Sequence, residues 1–396
     1  MLFHILWCFS IKCYMKKSKV FSVLRRGVAG VLVVFLLVFL PTLGLRSDEN
    51  LTLIYNAFVG AKSKYQGMIE IWNIDTFESG TVSKISILND YAKTFQKDNK
   101  GLYFIVRNVT ETECGYMLAS GQKPDMFSCS YGVASELADY VDVFSDSEID
   151  LLSNFKNAGM NLNGELSGVA WCSGAYFLIS TNQSLEKANV DTEKPVSLLD
   201  LSLSLGYEKE NKNYKTTVYS LGYGCHKYIM PQVALSSYND NGELSISDLS
   251  INLEESKQSS YSAYCNFIAG KSVVLLGTQR DVVRMKNREK LGKASDVIFE
   301  PLTKFTDLVQ FMFLTKCEDK TKREYMEKFV RFVLEKNQQT KLLEKSLFPV
   351  TSIDKNGLNL SVMQDIILEN IESFRVFNVL MSKDEIERLQ SDSIKK

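Results

Sequence analysis

Few side chains of this 396-residue chain are arranged for covalent chemistry. Its two histidines are His4 and His226. His4 falls in the leader, which leaves His226 as the sole imidazole of the body, and a lone histidine more often fills a structural place than an acid–base one. Gly270-Lys271-Ser272 ends like a phosphate-binding loop. That loop needs a glycine five residues before Gly270, where Cys265 stands, and a helix after it, where an apolar strand is expected. Ser153 and Lys156 have the S-x-x-K spacing of penicillin-recognising enzymes, without a K-T-G or S-D-N element beside them. The eight cysteines form no C-x-x-C pair and no Cys/His cluster, so a zinc site is not expected. Scattered as they are, they read as buried thiols rather than a disulfide framework, because a domain this large does not need bridges. No catalytic residue, metal or cofactor is therefore assigned, and the chain is not expected to be an enzyme.

What remains is binding chemistry. Trp72 and Trp171 carry flat aromatic faces, with core packing as the rival reading for each. Asp75 and Glu78 bring carboxylates, or alternatively cap a helix. Ser130 and Tyr131 bring hydroxyls, and Gln279 and Arg280 an amide and a fork of donors, with a salt bridge as the other reading for Arg280. Asp307, in KFTDLVQF, could serve a ligand or a hinge. Tyr223 and Tyr228 are weaker candidates.

The elements that would position these groups follow from periodicity. Met68–Asn73 alternates as a strand does, and Val82–Lys97 carries Ile85, Leu88, Ala92 and Phe95 at helical spacing. Leu102–Val106 reads as a second strand, Thr112–Ala119 as a short helix and Met126–Cys129 as a third strand. Strand and helix alternate as in an open α/β sheet, whose ligands sit beyond the strand C-termini. The loops Ile74–Gly80 and Ser128–Gly132 are thereby expected side by side. Val169–Ile179 reads as one extended run, Tyr261–Ala269 as a helix and Lys271–Leu276 as a buried strand, with Gly277–Arg280 as the turn after it. Phe299–Thr315 reads as extended, Tyr325–Leu343 as one amphipathic helix, Leu347–Val350 as extended, and 361–390 as two helical segments. The polar stretch 206–260 defines no clear elements.

The chain is long enough for two α/β units, and 45% hydrophobic residues can fill their cores. The net charge of −1 hides an asymmetry. Residues 1–47 hold seven of the 46 basic residues and no acid, so the rest carries 39 basic against 47 acidic. An acidic body gives no electrostatic ground for binding nucleic acid. Lys16, Lys17, Lys19, Arg25 and Arg26 precede an uncharged apolar run, Gly27–Leu45, of 19 residues. As a helix it would rise about 28 Å, enough to span a bilayer core with its basic flank inside. A signal peptide cleaved near Thr42 and Gly44 and an uncleaved anchor both fit. Met15 is a second candidate start. Either reading places the body outside the cytoplasm, at the outer face of the cytoplasmic membrane.

Five blocks, in order, resemble the extracellular solute-binding protein family that includes maltose-binding protein and other carbohydrate receptors of ABC transporters. They are IEIWNIDTFESGTVSKISILNDYAKTFQKDN (69–99), ASGQKPDMFSCSYG (119–132), GVAWCSGAYFLISTNQSLEKANVD (168–191), FIAGKSVVLLGTQRD (267–281) and the helix from Lys328 that ends in LFPV (347–350). The resemblance implies an α/β, type II periplasmic-binding-protein fold, two α/β lobes joined by crossing hinge strands, preceded by an N-terminal signal or anchor helix. It implies a leader at 1–47 and a tether at 48–66. Lobe one would be 67–176 with 311–345 returning, and lobe two 177–310 with 346–396 returning. The stretch 205–260 departs from the family's pattern, and no lipidation cysteine follows the apolar run. The function implied is capture of a small polar solute, a sugar or oligosaccharide, by lobe closure and its delivery to an ABC permease. Trp72, Asp75, Glu78, Ser130, Tyr131, Trp171, Gln279, Arg280 and Asp307 would then line the ligand site. A membrane-anchored enzyme acting on wall polymers is the alternative, as is the same fold binding a polyamine, peptide or metal chelate.

Overall fold

Gly67–Asn73 (β1) extends with Ile69 and Ile71 fully buried. Ser83 then caps helix α1 (Lys84–Asp98) by accepting the Ser86 N–H, and the helix buries Ile87, Leu88, Tyr91, Ala92 and Phe95. Next come β2 (Leu102–Asn108), α2 (Glu111–Ala119, opened by a Thr110/Glu113 capping box) and β3 (Met126–Cys129). The chain continues through β4 (Val141–Asp142), α3 (Ser153–Ala158), β5 (Gly168–Ser173), β6 (Tyr176–Thr181), α4 (Asn182–Lys187) and α5 (Leu198–Leu205). Then follow β7 (Leu221–Tyr223), α6 (Pro231–Ser236), α7 (Ser260–Ile268), β8 (Val274–Thr278), α8 (Gln279–Lys290) and β9 (Val297–Leu302). The last elements are β10 (Val309–Thr315), α9 (Lys320–Leu334), α10 (Lys336–Glu344), α11 (Val362–Asn370) and α12 (Lys383–Asp392). These elements come from a computed structural model that describes residues 63–145, 149–205, 221–223, 228–238 and 259–392. The leader 1–47 with its apolar run, all of the 48–66 tether before Ser63, Cys225 and His226 lie outside the described residues, as does the side chain of Tyr223. Among the described residues, no helix is long and apolar enough to cross a membrane.

Two sheets result. The first is six-stranded, in the order β2-β1-β3-β10-β4, with β5 also paired to β10. In it β1 runs parallel to β2 and β3, which sets Asn73 beside Ser128 at their C-terminal ends, as the α/β pattern requires. β10 is antiparallel to β3 and β5. The second sheet is four-stranded, in the order β7-β8-β6-β9. On the first sheet, Phe95 of α1, Phe104 of β2 and Phe329 of α9 pack together, edge-on for Phe95–Phe329 with ring centroids 5.5 Å apart and tilted for Phe104–Phe329 at 4.3 Å. Buried Phe95 and Phe329 each stabilise the fold by about 1.5–3 kcal/mol.

The apolar run expected as one strand is two strands in different sheets. The chain passes from β5 to β6 at Gly174–Ala175 and returns between β9 and β10 at 303–308. Tyr176 therefore opens the second sheet, and Val309 and Gln310 already belong to the first. Both flanks are apolar and buried on either side, so no change of period marks the crossing. Gly174 is needed at that point. A Cβ there would lie 2.8 Å from the Gln279 amide and 3.1 Å from Leu308. Its N–H donates to Leu308 O at 2.6 Å and its carbonyl accepts from Thr306 Oγ1 at 2.9 Å, so the two crossings lie against each other. Phe348 bridges Ser173 beside them.

Two further departures have local causes. The helix expected over Tyr325–Leu343 breaks at Glu335, whose ψ is 139°. The break lets buried Gln339 donate to Val333 O and Trp171 O and accept from the Val350 N–H, bonds a straight helix would forgo. Gln279 and Arg280 are not in a turn but open α8, where the Thr278 N–H donates to Asp281 Oδ2 at 3.1 Å, half of a capping box legible as T-x-x-D. Cys114, Cys129 and Cys172 are buried thiols, Cys265 and Cys317 half-buried ones, all five free.

Candidate functional site

Beyond the C-terminal ends of β1 and β3, side chains of five strands form one polar network, buried except for exposed Asn108. Asn73 donates to Asn108 Oδ1 at 2.8 Å and its own Oδ1 accepts from Ser128 Oγ at 3.1 Å. Ser128 Oγ in turn accepts from Trp171 Nε1 and Gln310 Nε2, each at 3.2 Å. Gln310 Nε2 also faces the Ile74 carbonyl at 3.2 Å, while its Oε1 has no hydrogen-bond partner. Thr76, in the loop after β1, has a buried hydroxyl without a partner.

Across the crossing, Asp307 is fully buried and accepts from Tyr176 OH at 2.5 Å and from the Met230 N–H at 2.6 Å. Burial pushes its carboxyl up to about 6, against the opposing pull of the Tyr176 and Met230 hydrogen bonds. The same burial, together with the nearby Asp307, raises the Tyr131 and Tyr176 phenols well above their ordinary range, so both stay protonated donors. Gln279 Oε1 accepts the Ala175 N–H at 3.0 Å and its Nε2 has no acceptor. Gln232, in a helix whose six residues are all buried, leaves both amide atoms unpaired. An unmatched buried polar group costs roughly 1–3 kcal/mol, and Gln232, Gln279, Gln310 and Thr76 each leave such an atom unmatched.

The rims of this junction are bridged by charge. On one side Arg284 Nη1 lies 3.0 Å from Glu78 Oε2, Arg280 Nε lies 3.4 Å from the same oxygen, and Arg280 Nη1 donates to the Ser79 and Gly80 carbonyls at 3.3 Å. On the other, Lys383 Nζ lies 2.8 Å from Glu111 Oε1 and also pairs with Glu136, while Tyr228 OH donates to Glu111 at 2.5 Å. The Tyr228 ring packs so closely on Gly132 that a Cβ there would overlap it at 2.3 Å.

The expected site residues thus divide. Ser130, Tyr131, Gln279 and Asp307 meet at the crossing, with Ser130 Oγ bonded to Val309 O and Tyr131 OH to Phe377 O at 2.7 Å. Glu78 and Arg280 pair with each other at the rim. Asp75 pairs with the fully buried Lys84 at 3.1 Å, whose ammonium also donates to Phe77 O. Trp72 and Trp171 are 1% and 0% exposed and pack edge-on against Phe127 and Tyr91 respectively, so they take the core-packing reading. The indole N–H of Trp72 is spent on Glu70. Sequence reasoning missed Asn73, Tyr176, Gln232 and Gln310. Gln310 carried a signal, since a lone amide inside the apolar run VQFMFLT must find partners once buried.

No family model matches the chain, and no curated protein does. Solved structures do. An ABC substrate-binding protein from Listeria monocytogenes in complex with cycloalternan aligns over 83% of this chain and 95% of its own, with a TM-score of 0.52 at 14% identity. The GacH receptor of Streptomyces glaucescens, solved unliganded and with acarbose, aligns over 83% and 98%, with a TM-score of 0.53 at 15% identity. A cyclic alpha-maltosyl-1,6-maltose binding protein from Arthrobacter globiformis aligns over 84% and 95%, with a TM-score of 0.51 at 11% identity. The chain is built on the α/β fold of these periplasmic-binding-protein-like structures.

Proposed function

We propose that the chain is the extracytoplasmic substrate-binding protein of an ABC importer and that it holds a sugar or oligosaccharide at the crossing between its two sheets. Each sheet with its helices forms one lobe, and the adjacent crossings at Gly174–Ala175 and 303–308 act as the hinge. The observation that carries this reading is the set of unpaired buried amides and hydroxyl, Gln232, Gln279, Gln310 and Thr76, around a crossing that also holds Asp307, Tyr131 and Tyr176. Planar amides bond pairs of vicinal hydroxyls, and a carboxylate adds a strong acceptor. The relatives in fold named above bind cycloalternan, acarbose and cyclic maltosyl-maltose, which supports a carbohydrate over a polyamine or a metal chelate. Ligand binding selects the closed arrangement, which the rim pairs of Glu78 and Lys383 hold. The leader 1–47 exports the body or anchors it to the outer face of the membrane, where the closed lobes meet a permease.

Thermal-shift and calorimetric titration of the full chain against oligosaccharides, a polyamine, a peptide and a ferric chelate tests this. One carbohydrate class should stabilise the chain saturably, and Gln310→Ala and Gln232→Ala should each weaken that binding by about tenfold. Stabilisation by a polyamine or a chelate alone, or release of reducing ends from any wall polymer, would replace the reading with one of its rivals.

A further inference from the structure

The loop between β1 and α1, residues 74–80, is gripped by cations from two directions. Its second half faces α8, where Arg280 and Arg284 meet Glu78 and Arg280 also holds the Ser79 and Gly80 carbonyls. Its first half is held by Lys84. That ammonium lies 3.1 Å from Asp75 Oδ1, donates to Phe77 O at 2.7 Å and sits 3.7 Å from the centroid of the Phe77 ring. Thr76 stands between the two residues so held, and its buried hydroxyl has no partner. One residue earlier, the Ile74 N–H donates to Ser128 O at 2.8 Å and the Ile74 carbonyl accepts from Gln310 Nε2.

A lysine ordinarily keeps its ammonium in water. Lys84 is fully buried, and among the described residues it is the one lysine or arginine that is. It is also the first residue of α1, the end at which the helix dipole disfavours positive charge. For stability alone an apolar side chain of similar length would serve, since a buried ion pair gains little over well-packed apolar groups. An apolar side chain could not bind the Asp75 carboxylate and the Phe77 carbonyl together, and so could not fix the backbone on both sides of Thr76. We infer, on the solute-binding reading above, that Lys84 is a positioning residue for the solute site, setting the loop 74–80 in the form that presents Thr76. The competing account is that Lys84 only anchors the start of α1 in the core.

The test compares the full-length wild type, Lys84→Met, Asp75→Asn and the double variant. Amide hydrogen exchange is followed without ligand, and acarbose and cycloalternan are titrated by calorimetry. In Lys84→Met the amides that bracket the loop, Ile74 bonded to Ser128 and Thr81 bonded to Lys345, should exchange about tenfold faster. The Ile87 amide, bonded to Ser83 O inside α1, should keep its rate. Carbohydrate affinity should fall by about tenfold. Asp75 has a side chain 35% exposed, so Asp75→Asn tests the same clasp without endangering the fold, and a severalfold loss is expected. Because both residues act through one clasp, the two losses should not add in the double variant. Faster exchange at Ile87 with unchanged affinity would leave only the anchoring account, and additive losses would show that Lys84 does not act through Asp75. Failure of the wild type to bind either carbohydrate counts against the solute reading, whereas the exchange measurement needs no ligand and decides the clasp by itself.

Discussion

At the crossing, Asp307 is out of reach of water and takes hydrogen bonds from Tyr176 and Met230, whereas the rim pairs tie the loop after β1 to α8 through Glu78 and α2 to α12 through Lys383, with partly exposed side chains. The side chain of Glu78 is 41% exposed and that of Lys383 28%, so water and salt compete with every bond they make. Buried bonds of the first kind fix geometry, because losing one strands its partner without solvent. Rim pairs of the second kind are worth about 1 kcal/mol or less each and can be broken and remade. The difference teaches which contacts hold their partners fixed and which water can replace.

The largest expected effect sharpens the rigid side. Trp171 is fully buried beneath the polar network, so Trp171→Ala should lower unfolding free energy by about 3–5 kcal/mol in urea titrations. A loss under 1 kcal/mol would place the indole outside the core. Asp307→Ala should cost somewhat less, about 3 kcal/mol, by leaving the Tyr176 hydroxyl and the Met230 N–H unmatched. An unchanged urea midpoint would show that the crossing does not depend on this carboxylate.

The third prediction uses pH. The Asp307 carboxyl titrates at about 6 when folded against an ordinary 3.8, so the folded state holds the extra proton between those values. Stability from this group is present in full below about pH 4 and is lost as pH rises through 6, by up to about 3 kcal/mol for a shift near two units. Subtracting the stability of Asp307→Asn from that of the wild type across pH 4–7 isolates the effect, and the difference should decline with rising pH. Parallel curves would mean that the carboxyl titrates normally. The smallest effect concerns the rim. Glu78→Gln should change unfolding free energy by less than about 1 kcal/mol, yet let the ligand-free chain sample a larger radius of gyration in X-ray scattering. High salt should do the same to the wild type and little to the variant; if neither moves the radius, the rim pairs do not hold the lobes together.

Much of the architecture was legible because single elements announce themselves. Met68–Asn73 follows from its alternation, Met126–Cys129 from its place in the strand–helix order, and the helix expected at Val82–Lys97 from its spacing, and that order put the loops Ile74–Gly80 and Ser128–Gly132 side by side. Of the residues proposed for the site, Asp307 lies in the second crossing and Gln279 bonds to the first, while Ser130 and Tyr131 follow β3 as expected. Arg280 and Glu78 were found as each other's partners, and both tryptophans were drawn into the core, because an apolar face of that size gains more from burial than a strand-end position can predict. Helix α8 was missed although its T-x-x-D signal was present.

By itself the sequence determined the alternation of strand and helix, the lack of a His-based catalytic set, the charge asymmetry of the leader and the likeness to solute-binding receptors, all of which reside in neighbouring residues or in composition. Only the tertiary structure decided that Val169–Ile179 divides between two sheets, that the helix after Tyr325 breaks at Glu335 for the bonds of Gln339, and that Gln232, Gln279 and Gln310 are buried with unmatched amide atoms. Those outcomes depend on which residues far apart in the chain come within hydrogen-bond reach, and burial then sets what each unmet bond costs.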